Sequence, residues 1–217
     1  MKTLLSGATM ALFLGLAAFP AAAGVVYDNS CGGTGCANGL DGAGWNITNG
    51  FDVSDSFTIS AVTNLTSVDL WIWDFAGETM TALDWSIGTT EGGNDVASGS
   101  GTATSDVFLL ENTDGFFVYR DSFNLSVANL APGTYYLTLQ NGVVTSGDSA
   151  YWDQSDGAST AFQDGNSLEG CGFGQSASCS ESFDIVANGA APEPGTVTML
   201  AGGVLMMAGL LRRRLVR

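Results

Sequence analysis

The 217-residue chain predicts an all-β fold over residues 24–188, a two-sheet antiparallel sandwich of jelly-roll type. Three observations carry that prediction. Between Gly24 and Asn188 no apolar period near 3.6 residues is sustained, whereas apolar and polar residues alternate in several short runs. Clusters of Gly, Asn, Asp or Pro separate the runs. About eight to ten strands at this spacing match a sandwich, and about 165 residues are enough to bury a real core.

The elements follow in chain order. Residues 1–23 read as a secretory signal peptide, with Lys2 as the positive start, an apolar stretch from Leu4 to Phe19, and Ala21-Ala22-Ala23 as a small-residue cleavage site before Gly24. Phe51, Val53, Phe57 and Ile59 share one parity of a strand, and Asp55 interrupts them as the mark of a bulge or an edge. In the next strand Val68, Leu70 and Ile72 form one face, while Trp71, Trp73 and Phe75 form the other, so both faces are apolar. Leu83, Trp85 and Ile87 continue the pattern. Phe117, Tyr119, Phe123, Leu125 and Val127 alternate along a longer run with Asp121 in its middle. Ala131-Pro132-Gly133 is a turn, after which Tyr135, Leu137 and Leu139 alternate. Shorter runs lie at Ala150 to Trp152, Thr160 to Phe162 and Phe183 to Val186.

The C-terminal end changes character. Residues 189–195 form a linker containing Pro192-Glu193-Pro194, and residues 196–217 hold an uncharged apolar helix followed by Arg212-Arg213-Arg214. The apolar part, Thr196 to Leu211, would span about 24 Å as a helix, against roughly 30 Å of bilayer hydrocarbon. It is a marginal membrane span, and its arginines place that end in the cytoplasm with the β-domain outside.

Charge and residue inventory exclude whole classes of function. The chain contains no His, and Arg120 is the one basic residue between Gly24 and Ala191, so that region carries a net charge of about −20. Such a field repels nucleic acid and anionic headgroups. Without His or Lys there is no usual general base for a Ser or Cys nucleophile, no imidazole metal ligand and no Schiff-base amine. Carboxylate chemistry alone survives, and no particular pair of acids is singled out. The reading is therefore not an enzyme, with catalytic residues none.

Cys31, Cys36, Cys171 and Cys179 are an even set in an exported region and predict disulfides. Three connectivities exist, of which the local pairs Cys31 with Cys36 and Cys171 with Cys179 are favoured because each closes a short Gly-rich loop. Zinc is disfavoured, since no CxxC spacing accompanies them. No required cofactor is read, but Asp153-Gln154-Ser155-Asp156-Gly157, and Asp28-Asn29 with Asp41, offer loop oxygens to Ca²⁺. Ordinary turn chemistry accounts for the same residues. Trp71 and Trp73, with Phe75 beside them and Trp152 as a further member, are a candidate platform for stacking sugar rings, set against the alternative that they are core.

Pro192-Glu193-Pro194, a single apolar helix and a terminal arginine cluster, in that order behind an export signal, resemble the PEP-CTERM sorting domain of Gram-negative bacteria. The resemblance implies cleavage near the Pro-Glu-Pro motif by an exosortase, export by the Sec machinery, and transient residence in the inner membrane. It further implies release or attachment at the cell surface, in an extracellular matrix or biofilm setting with polysaccharide as a partner. Gly195-Thr196 stands where Ser-Thr is common in that family, and Leu215-Val216-Arg217 extend past the arginines.

Overall fold

A computed structural model of the protein describes residues 23–30, 43–155, 157–167 and 179–188. All regular structure within them is β. In chain order the strands are β1 (Ala23–Asp28), β2 (Gly44–Asn46), β3 (Asp52–Ile59), β4 (Thr63–Asp74), β5 (Met80–Gly88), β6 (Ala97–Glu111), β7 (Phe117–Leu130), β8 (Gly133–Val144), β9 (Tyr151–Ser155), β10 (Ala161–Gln163), β11 (Asn166–Ser167), β12 (Ser180–Glu181) and β13 (Phe183–Asn188). Every pairing is antiparallel. The order across the sheet is β1-β13-β4-β7-β6-β5-β8-β3-β10-β11, with β9 joined to β4, β2 and β12. No described helix is long and apolar enough to cross a membrane. The expected signal peptide, linker and C-terminal helix lie outside the described residues.

One apolar core is shared by the two ends of this strand order. Val68, Leu70 and Ile72 of β4 and Phe183 and Ile185 of β13 join Val53 and Phe57 of β3, Leu83 and Ile87 of β5, and Leu137 and Leu139 of β8. Phe57 meets Phe183 edge-on, with ring centroids 6.4 Å apart. The strands bend round so that their inward parities face one another, which is the sandwich-like arrangement that alternation requires.

The strand that makes this possible has no apolar alternation in its first half. Residues 97–102 of β6 pair with β5 and residues 103–111 with β7, so one continuous strand passes from one side of the core to the other. Its inward residues are Ala97, Gly99, Gly101 and Ala103, all small. A Cβ at Gly101 would stand 2.9 Å from Phe123 Cδ1, and one at Gly99 would stand 3.0 Å from Trp85 Cζ2. The large rings come from the neighbouring strands, and β6 is thin because they lie under it.

Two sequence expectations are corrected. Asp55 marks neither a bulge nor an edge: β3 runs in unbroken register with β8, Asp55 opposite Leu137, and on its other side Asp55 pairs with Ala161 of β10. It is an inward-pointing acid, fully buried. Phe51 lies before β3 and is 41% exposed, so it leaves the apolar face to Val53, Phe57 and Ile59. Local turn chemistry is plain at two other places. Asp164-Gly165, both at positive φ (48° and 74°), closes the β10–β11 hairpin with Gln163 opposite Asn166. Ala131-Pro132 links β7 to β8, and the Tyr135 hydroxyl donates to the Ala131 carbonyl at 3.0 Å, pinning that turn to the core ring.

Candidate functional site

The candidate tryptophan platform is not a surface. Trp71 and Trp152 are 0% exposed and Trp73 is 4% exposed. β4 has strands on both flanks, so its two faces fill two apolar clusters: Ile72 and Trp152 belong to the main core, and Trp71 and Trp73 pack with Val118 on the opposite face. Phe116 stacks on Trp73 at 5.7 Å between centroids. Trp73 Nε1 donates to Asp153 Oδ1 at 2.5 Å and Trp152 Nε1 to the Ser182 carbonyl at 2.9 Å, so two of the three indoles are held by buried acceptors rather than offered to a ligand. Phe75, beyond the end of β4, is 45% exposed.

The expected calcium loops also take another form. Asp153 lies in β9, fully enclosed, and binds Trp73 and Ser182; desolvation raises its carboxyl to a pKa of about 8. Asn29 turns inward: its amide donates toward Ser180 Oγ (2.6 Å), Ser159 Oγ (2.7 Å) and the Glu181 carbonyl (2.5 Å). Asp41 and Asp156 lie outside the described residues. Among the described residues no group of three or more Asp, Glu, His or Cys side chains is placed to hold a metal ion.

What Asn29 joins is a buried polar knot that sequence reading missed. Asp55 Oδ2 accepts from Glu181 N (2.6 Å), Ser159 Oγ (2.8 Å) and Ser180 Oγ (3.3 Å), and its Oδ1 from Ser56 N (2.6 Å). Ser159 and Ser180 are hydrogen-bonded to each other. The knot ties the segment after β1 to β3, β9 and β12 across 104 to 152 residues of chain. Burial raises the Asp55 carboxyl to a pKa of about 7 against the pull of its four donors. Burial, with Asp55 and Asp153 nearby, raises Glu181 far above the carboxylate range. Two serines beside an acid are the parts of a nucleophilic site, but Asp55 and Ser180 are 0% exposed and no imidazole is present, so the arrangement is closed to a substrate and acts as a lock.

Acids also face acids elsewhere across the ladder. Asp106 of β6 stands opposite Asp121 of β7. Burial first, and the Asp106 charge second, push Asp121 up to about 9. Asp74 rises to about 7 through burial and the charges of Glu78 and Asp106. A lone aspartate in an alternating run looks like an exposed residue, and only the pairing shows what it faces.

A groove of about 330 Å³ runs over β3, β5, β6 and β8, lined by Asp52, Asp84, Ser98, Ser100, Thr138 and Gln140 among others. Asp84 accepts from Ser100 Oγ at 2.5 Å and Asn141 Nδ2 at 2.9 Å, donors that hold its carboxyl below the usual range. Carboxylate, amide and hydroxyl groups side by side are what hydrogen-bonding to a polyhydroxyl ligand requires.

The remaining expected residues fall outside this geometry. Cys179 is buried and disulfide-bonded, whereas Cys31, Cys36 and Cys171 lie outside the described residues. So do Pro192-Glu193-Pro194 and Arg212-Arg213-Arg214. No family model, no curated protein and no solved structure matches this chain.

Proposed function

We propose that the protein is an exported, surface-directed β-sandwich of jelly-roll type, processed at a C-terminal PEP-CTERM signal by an exosortase and working without catalysis in the envelope or extracellular matrix. The observation that supports it most is that the first described strand pairs with the last. β1 starts at Ala23 and β13 ends at Asn188, and these two residues are partners in the same ladder. A leader cut before Gly24 would remove only the first rung of that ladder, Ala23 with Asn188, and a tail cut near Pro192 would fall after its last residue. The main apolar core of the described residues is built from side chains between Tyr27 and Ala187. Intact-mass measurement on the native protein tests the reading: the expected species lacks both the N-terminal leader and the apolar tail, and a mature species that keeps Val197 to Arg217 overturns it.

A second reading, carbohydrate binding, draws support from the polar groove rather than from tryptophan. The groove offers hydrogen-bonding groups for an extracellular polysaccharide. Glycan-array binding that is lost in Asp84→Ala and Gln140→Ala is the expected result. Binding by neither the native protein nor the variants, with and without Ca²⁺, removes this reading.

A further inference from the structure

The strands under the polar groove carry their polar side chains in step. Val53, Leu83, Trp85, Leu137 and Leu139 point into the core, so alternation turns Asp52, Asp84 and Gln140 to the opposite face. Register sets Asp52 of β3 opposite Gln140 of β8, Gln140 opposite Asp84 of β5, and Asp84 opposite Ser100 of β6. Two residues along each strand, Ser54, Thr138, Ser86 and Ser98 make a parallel row of hydroxyls. Residues 89–96, between β5 and β6, fold over that second row: Gly92 N donates to Ser54 Oγ at 3.3 Å and Ser86 Oγ to the Gly93 carbonyl at 2.9 Å. Ser54 and Thr138 are buried there, whereas Gln140 and Ser100 of the first row are exposed and Asp52 and Asp84 half-buried.

The open row holds two acids and no base. Asp84 takes one neutral donor on each oxygen, Ser100 and Asn141, and a carboxylate oxygen can accept a further one. Those donors satisfy lone pairs without cancelling the charge, and they keep the carboxyl below its usual range. Asp52 Oδ1 accepts from Asp164 N at 2.9 Å, and burial, with the Asp164 carboxylate beside it, raises the Asp52 carboxyl. A Cβ at Gly92 would stand 3.9 Å from Asp52 Oδ2, which sets that oxygen at the lip of the covering loop. Arg120, the one basic side chain among the described residues, belongs to β7 and pairs with Trp71 and Val107.

We infer, building on the carbohydrate reading of this groove, that its ligand is an amine-bearing sugar chain, with ammonium groups against Asp52 and Asp84 and ring hydroxyls against Gln140, Ser98 and Ser100. A uronate or sulfated chain would set anion against anion there. β3 and β5 lie two strand spacings apart, about 9–10 Å. One amine therefore cannot meet both acids. A polymer with repeated amines can, and its second contact forms at the effective concentration that the first creates.

Titration calorimetry of the full chain at about pH 6, where an unperturbed Asp is ionised, tests this with three probes: glucosamine oligomers with free amines, the same oligomers fully N-acetylated, and oligomers of a uronic acid. The free-amine oligomers should bind about tenfold more tightly than the acetylated ones, as two partly exposed ion pairs allow, and the uronates should not bind. Asp52→Asn with Asp84→Asn should remove that preference, and about 0.5 M salt should shrink it. The region between Gly24 and Ala191 carries about −20, which attracts any polycation. Asp114→Asn with Asp148→Asn removes the same charge from exposed loops and should keep the preference. Equal binding of free-amine and acetylated oligomers overturns the inference and leaves the carbohydrate reading standing, whereas no binding of any oligomer overturns both. A preference lost as fully in the loop pair as in the groove pair assigns the attraction to net charge alone and likewise overturns the inference.

Discussion

Two buried regions of this domain hold it together by opposite means. The core around Phe57, Phe123 and Phe183 is apolar and closes by area alone, whereas the knot around Asp55 closes through hydrogen bonds among an acid, an amide and serines from distant segments. Burying apolar surface is favourable wherever it occurs, about 25 cal/mol per Å². Burying a carboxyl is unfavourable unless every partner is in place. The core therefore tolerates repacking, and the knot does not tolerate a missing member.

The contrast can be broken at either end. Phe183→Ala removes a fully buried ring that touches Tyr27, Phe57 and Trp152, and should cost about 3–5 kcal/mol by urea unfolding. Asp55→Ala strands the Ser159, Ser180, Glu181 and Ser56 donors and should cost about 3 kcal/mol, at the upper end for orphaned polar groups. Should Asp55→Ala cost no more than an exposed control such as Asp148→Ala, the knot contributes nothing. Gly101→Ala drives a methyl toward Phe123 and should cost about 1–3 kcal/mol, which would show that β6 is thin for steric reasons.

Titration separates the two regions further. Asp55, Asp153 and Asp121 have folded pKa values of about 7, 8 and 9, all above the unfolded value of 3.8, so the folded state holds protons that the unfolded chain has lost. Their contribution is whole below about pH 4 and drains away as pH rises through about 7 to 9. Unfolding midpoints should accordingly fall between about pH 5 and about pH 9, and a midpoint rising across that window would show these carboxyls to be ionised in the fold. The smallest effect expected is a gain of about 1 kcal/mol for Asp121→Asn near pH 9, where the native pair with Asp106 must carry charge against charge.

Much of the fold was legible along the chain, for identifiable reasons. β4 stood out because strands flank it on both sides and both of its faces are covered, which writes an unbroken apolar run into Val68 to Trp73. β6 was invisible because its inward positions are filled by the rings of Trp85 and Phe123 from neighbouring strands, and a strand whose partners supply the bulk carries only Gly, Ser, Thr and Ala. The same indirection hid the polar sites. Asp55 read as a break in a pattern, and its four donors lie as far as 126 residues away.

Alternation and punctuation, which depend on each residue and its near neighbours, determined the all-β class, the strands of the core and the absence of any histidine-based chemistry. The expected leader and the proposed sorting segment with its Pro-Glu-Pro motif and arginines rest likewise on local composition. Only the tertiary structure decided that the tryptophans are core, that acids stand beside acids, and that the open polar groove lies over β3, β5, β6 and β8. Those facts depend on which residues meet across strands far apart in the chain, and register between strands is set by the packing of the whole domain.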